Sequence, residues 1–260
     1  MATTIPKTSA VLTSLLRADF TTQWRNRRAV MLTLVVPVVI LMSWKSFVAT
    51  AGGPFVLSNS ITIGLFASGL MGYSNTIARD RDKGIFQRLR VSPLPWWTIM
   101  ASRLLVQLAM IMIITTIVFV IGNSFDGITL SPVAYLLTYF TAIVCGCVSL
   151  SLGQMIVGFI KNPETVNATT RLVYLALIMI GTFGEVSHEI EKMEKKTSQL
   201  GDMIYRAVEL TPYGAVKTIL SAGMEPTKWD TNTSTALLLT LVYIVVFTFF
   251  GIKWFKWNTK

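Results

Sequence analysis

Six stretches of this chain stay apolar for about 18 residues or more, and they limit the fold more than any motif does. A helix of about 20 apolar residues crosses the ~30 Å hydrocarbon core of a bilayer. The blocks lie at 29–48, 55–78, 98–121, 132–160, 166–184 and 235–252. Composition agrees: 52% of the residues are hydrophobic and 14% charged, against roughly 25% charged in a soluble domain. The expectation is an all-α membrane protein, one transmembrane domain over 1–260 with six spans. The fourth block exceeds the span requirement and is predicted to tilt or break near Gly146 or Gly153.

Charge sets the expected orientation. With the N-terminus inside, the inner segments carry sixteen Lys and Arg against four acids, and the outer segments seven against nine. The net charge of +10 therefore reads as a positive-inside bias rather than a nucleic-acid surface. Both termini are expected in the cytoplasm, and the chain in the cytoplasmic (inner) membrane. A cleaved signal is the rival for the first block, since Ala49-Thr50-Ala51 has the small residues of a cleavage site; the long basic lead and long apolar run argue for retention. Pro37 and Lys45 are tolerable there, one as a kink and the other snorkelling at the outer end.

Several chemistries find no residues. Cys145 and Cys147 sit inside an apolar block, and His188 is the lone histidine, so neither a disulfide scaffold nor a two-histidine metal site is expected. Pairs of glycines with P-loop spacing lack the following lysine. No carboxylate or histidine lies mid-span, which counts against an ion-coupled carrier and against an intramembrane enzyme. Arg103 and Arg171, near the inner ends of their spans, read as snorkelling cations.

Ahead of the first span, Leu12, Leu16, Phe20 and Trp24 recur every four residues, and the Arg25-Asn26-Arg27-Arg28 cluster adjoins them. Residues 8–26 are thus expected to form an amphipathic interfacial helix. In the second span Gly64, Ser68, Gly72 and Thr76 line one helical face, fit for close packing within the chain or at a pore or dimer seam. Asn75, Gln107 and Gln154 fit a polar path or bonds between neighbouring helices. Between the last two spans, 185–230 opens with Glu189/Lys192 and Glu191/Lys195 at helical spacing. Ile190, Met193, Leu200, Met203 and Ile204 supply that helix with an apolar side.

The cytoplasmic segment 79–97 is dense in charge. It places Ile85, Phe86 and Leu89 at helical spacing beside Arg88 and Arg90, and ends in Ser92-Pro93-Leu94-Pro95. Such a helix suits a groove on a partner, or equally a solvated loop. The run Asp82, Lys83, Gly84, Arg88, Leu89, Ser92, Pro93 resembles the stretch after the second span of type-2 ABC exporter permeases. Asp82 stands where Glu is usual, Ile85 where Thr is usual, and Gln87 where Glu is commoner. The six-span plan, the entry helix, the proline of span one and Thr211-Pro212-Tyr213-Gly214 extend the resemblance.

That resemblance implies a catalytically silent permease subunit, paired with a second and identical permease among membrane lipids. Each would dock a separate ABC ATPase, two copies in all, which holds the ATP and Mg. Asp82, Lys83, Gly84, Phe86, Gln87, Arg88, Leu89, Ser92 and Pro93 would form the coupling contact, and Lys161, Asn162, Pro163 and Glu164 a smaller second one. Helix packing falls to Gly64, Ser68 and Gly72, and short outer helices to 185–230. Cargo is expected to be an amphipathic small molecule such as a drug, antibiotic or lipid-like compound. A polysaccharide or lipid-linked glycan, or a non-transporting immunity or scaffold role, stands as the alternative.

Overall fold

The computed structural model describes residues 8–90, 96–194 and 199–255. Among the described residues the regular elements are helices: α1 (Thr8–Arg25), α2 (Arg27–Ser43), α3 (Val48–Ala51), α4 (Gly53–Phe66), a π-helical segment (Ala67–Tyr73), α5 (Ser74–Asp82), α6 (Ile85–Arg90), α7 (Trp96–Asp126), α8 (Pro132–Phe159), α9 (Pro163–Glu194), α10 (Gln199–Glu209), α11 (Pro212–Met224) and α12 (Thr231–Lys253). Among the described residues five helices are long and apolar enough to cross a bilayer. A sixth crossing exists only if Thr33–Ser43 and Lys45–Ala51, bent by 49°, count as one broken span.

That bend corrects the first expected span. Pro37 lies inside α2, which runs through it; the interruption comes at Trp44. Its ring packs against Phe47 at 5.2 Å and Phe55 at 5.8 Å. Lys45 reaches across to α7, donating to the Phe125 carbonyl at 3.2 Å and facing Asp126 at 3.7 Å. The lysine is thus a link between two helix ends at this edge.

The α4–π–α5 run is one continuous helix and the axis of the bundle. Eighty-nine per cent of its most apolar stretch is buried, against 17% for α12. Several of its buried hydroxyls bond to its own backbone: Ser60 donates to Val56 O at 3.0 Å and Thr62 to Ser58 O at 2.7 Å. Gly64 faces Pro37 and Ile114, and Gly72 faces Gln107. Ser68 is buried, and its carbonyl accepts from Gln107 Nε2 at 3.0 Å. All three small residues pack inside the chain.

The fourth expected span is one unbroken helix, α8, so of the expected tilt or break the break is absent. Its glycines serve contact. A Cβ on Gly153 would lie 2.6 Å from Gly69 O, and one on Gly69 would lie 2.5 Å from the Ser149 carbonyl carbon. The two backbones cross where no side chain fits. The π-helical turn coincides with this crossing, and Ser74 Oγ donates to the Gly69 carbonyl at 3.2 Å.

The segment expected as an outer loop is largely helical. Thr211 caps α11, its Oγ1 accepting from Gly214 N at 3.1 Å. Tyr213 is fully buried, donates to Asn59 Oδ1 at 2.9 Å and shares a hydrogen bond with Thr182 at 3.2 Å. Cys145 is buried beside it, with Sγ 3.6 Å from Val216 O. The side chains of His188 and of the Glu189–Lys195 ion-pair pattern lie outside the described residues.

Candidate docking face at the basic end

Helix α5 ends where the bundle meets a dense set of cations, and one of them turns inward. Arg81 is 1% exposed. Its Nη1 donates to Val157 O at 2.9 Å, and its Nη2 to Ile160 O at 2.6 Å and Lys161 O at 2.9 Å. Val157 O lies in the last turn of α8, where helix carbonyls lack intrahelical partners, and the Ile160 and Lys161 carbonyls lie just past its end. A planar guanidinium with several donors fits three carbonyls at once. Arg81 therefore fastens the end of α5 to the start of the 161–164 connection.

The chain then turns. Lys83 N bonds Arg79 O at 3.0 Å and Gly84 N bonds Arg81 O at 3.1 Å, and Gly84 adopts φ +66°. A left-handed residue closes the helix and redirects the chain into α6. Phe86 points back into the molecule, fully buried with its ring edge-on to Phe255 at 6.2 Å. The expected apolar edge facing outward is corrected there: Phe86 anchors α6, and Asp82, Lys83, Gln87 and Arg88 form the exposed side. Ser92 and Pro93 lie outside the described residues, as does the side chain of Leu89.

The second predicted contact arrives at the same place. Asp82 lines a cleft of about 450 Å3 together with Lys161, Asn162, Pro163 and Glu164. Asn162 Oδ1 accepts from Glu164 N at 2.8 Å, and Val166 N bonds Asn162 O at 2.9 Å, which starts α9 with Pro163 in its first turn. Two segments about 80 residues apart in sequence thus share one exposed face. Both signs of charge are exposed in these two segments: Lys83, Arg88 and Lys161 with Asp82 and Glu164.

A third connection was invisible in the sequence. Arg103 is held between two carboxylates, with Nε 3.2 Å from Asp19 and Nη1 2.5 Å from Asp80. Ser102 donates a hydrogen bond to Asp19. Arg103 is thus a clamp joining α1, α5 and α7, which corrects its reading as a snorkelling cation. Asp19 and Gln23 give α1 a polar side against the bundle, while Phe20 and Trp24 stack on each other at 6.0 Å and face outward. Burial pushes the Asp19 carboxyl above its ordinary range, an effect that Arg103 and the Ser102 hydroxyl oppose. The only hint in the sequence was an acid on the polar flank of an amphipathic helix.

Other polar candidates pair within the chain. Tyr73 OH donates to Gln154 Oε1 at 2.7 Å, and Asn75 Nδ2 to Met71 O at 2.8 Å. Among the described residues no group of three or more His, Cys, Asp or Glu is placed to hold a metal ion.

Comparison with known proteins adds two findings. A family model described as "ABC-2 type transporter" matches residues 10–190. The chain is also 22% identical over 163 residues to the Bacillus subtilis (strain 168) protein named "Putative transport permease YvfS". That match covers 60% of this chain and 66% of the relative, just under two thirds of its length.

Proposed function

The chain belongs to the ABC-2 type transporter family, and on that premise we propose that it is the permease subunit of an ATP-driven exporter whose motor is a separate ATPase. The observation that supports this reading is the cleft that Asp82 shares with Lys161–Glu164, beside the exposed Lys83, Gln87 and Arg88 and with Arg81 hydrogen-bonded behind it. With Phe86 buried against the bundle, a partner would meet this segment through its exposed charges of both signs.

The physical work of such a subunit is to exist in two states that the ATPase binds unequally. Force applied at α6 passes into α5 through the Gly84 turn, into the α8–α9 connection through Arg81, and into α1 and α7 through Arg103. The ATPase supplies ATP and Mg; this chain supplies the path, and two copies side by side would complete it. With the basic end in the cytoplasm, as the positive-inside bias favours, the cargo leaves at the opposite end. Methionine- and aromatic-rich spans suit an amphipathic small molecule.

The test is export by vesicles holding the permease and its ATPase. Arg88→Glu is expected to abolish ATP-dependent export while the permease still inserts and melts as the parent does. Undiminished export by that variant would overturn the reading.

A further inference from the structure

Gly84 carries no side chain to fix the angle between α5 and α6, and its positive φ makes the turn a glycine hinge. One ring touches both sides of that hinge. Phe255, just past the end of α12, meets Phe86 of α6 edge-on at 6.2 Å. The Arg81 guanidinium, near the end of α5, lies over the same ring at 5.8 Å. Arg81 donates to three carbonyls and still offers a face to an aromatic ring. Arg81 and Phe86 are both fully buried. Packed groups of this kind yield little, so contacts from either side of a glycine turn set its angle.

The ring is mounted on a helix that is itself held firmly at this end. Gly251 of α12 meets α8 backbone to backbone. A Cβ on Gly158 would lie 2.8 Å from Gly251 O, and one on Gly251 would lie 3.0 Å from the Gln154 carbonyl carbon. Trp254 closes the same junction, its ring 4.8 Å from Phe250 and 4.6 Å from Phe159. Trp254 N bonds Phe250 O at 3.2 Å and Phe255 N bonds Ile252 O at 3.3 Å, so the backbone carries Phe255 as an extension of the helix.

We infer that Phe255 is a positioning residue: its ring sets the angle at which α6 meets a partner, and it ties α6 to α12. The angle depends on contacts within one chain and needs no ATPase. The tie, by which a displacement imposed at α6 reaches α12, rests on the permease reading.

Seating of α6 is tested on the full chain in nonionic detergent, by electron paramagnetic resonance of a nitroxide on Gln87→Cys, an exposed position of α6. Phe255→Ala is expected to raise the ratio of mobile to immobile label roughly tenfold, the scale of one aromatic pair and one cation–π contact. Phe255→Tyr keeps the ring and is expected to match the parent; Phe255→Leu keeps apolar bulk alone and is expected to fall between. A nitroxide on Leu238→Cys, exposed toward the other end of α12, is expected to keep its spectrum in all three. An unchanged label at 87 in Phe255→Ala, or an equal change at 238, would overturn the assignment.

The tie is tested in nanodiscs with the ATPase bound. Trapping with ATP and vanadate is expected to shift the spectrum at 238 in the parent and in Phe255→Tyr, and to leave it unmoved in Phe255→Ala. A shift that survives Phe255→Ala, or none in the parent complex, would overturn the tie to α12. An ATPase that fails to bind the parent condemns the permease reading instead, with the seating of α6 judged by the label at 87.

Discussion

At the residue scale, two arginines that read as ordinary inner-end cations hold the basic end together. Arg81 donates to three carbonyls at the end of α8 and the start of the connection that follows it. Replacing it with methionine leaves buried acceptors unpaired, and about 1–3 kcal/mol of stability is expected to go for each such group that water cannot reach. Arg81→Lys is expected to recover little, because a point charge cannot bridge carbonyls spread over a helix end; thermal melting in detergent measures both. Arg103→Met strands Asp19 and Asp80, for which about 3–5 kcal/mol is the usual scale. Asp19→Asn is expected to cost much less, since burial already disfavours its charge. The sign follows from linkage: a carboxyl raised above its ordinary 3.8 in the folded chain binds its proton more tightly than the unfolded chain does. Its contribution to stability therefore grows as the pH falls from the raised value toward 3.8 and is lost as the pH rises through that raised value. Melting curves across that window are expected to show the acid-side gain in the parent and not in Asp19→Asn.

At the scale of the elements, glycine decides two junctions. Gly84 needs its left-handed conformation to turn α5 into α6. Gly84→Ala is expected to cost about 1–2 kcal/mol locally, whereas Gly84→Pro cannot adopt a positive φ and is expected to abolish ATP-dependent export without loss of membrane insertion. Gly153→Val drives a branched side chain into the Gly69 backbone and is expected to reduce the yield of folded protein in size-exclusion analysis. Part of this was legible in advance. Hydropathy places the long helices because only apolar runs cross a bilayer, whereas Gly84 was singled out through the family resemblance and not as a turn. Of the two outcomes expected for the long fourth block, tilt or break, the break did not occur, since local propensity cannot see the backbone of α4–π–α5 arriving from outside. Phe86 was misread as outward-facing for the same reason: helical spacing gives a face, and only the arrival of Phe255, about 170 positions later, says where it points. The Arg103 clamp draws on residues from three elements, which no local pattern reports.

At the scale of the whole molecule, the described residues divide into a charged end that joins α1, α5, α7 and the α8–α9 connection, and an opposite end roofed by α10 and α11. Sidedness is checkable. In sealed inside-out vesicles a cysteine at Lys83 or Lys161 is expected to react with an impermeant maleimide, and one at Lys228 only after the membrane is opened. The reverse pattern would invert the proposed direction of transport. The central claim, that Asp82–Arg88 and Lys161–Glu164 form one seat for an ATPase, is tested most directly by photocrosslinking from membranes containing the assembled complex. A benzophenone at position 88 or 161 is expected to capture a P-loop ATPase, and one at position 228 none; capture from 228, or from neither 88 nor 161, would contradict it.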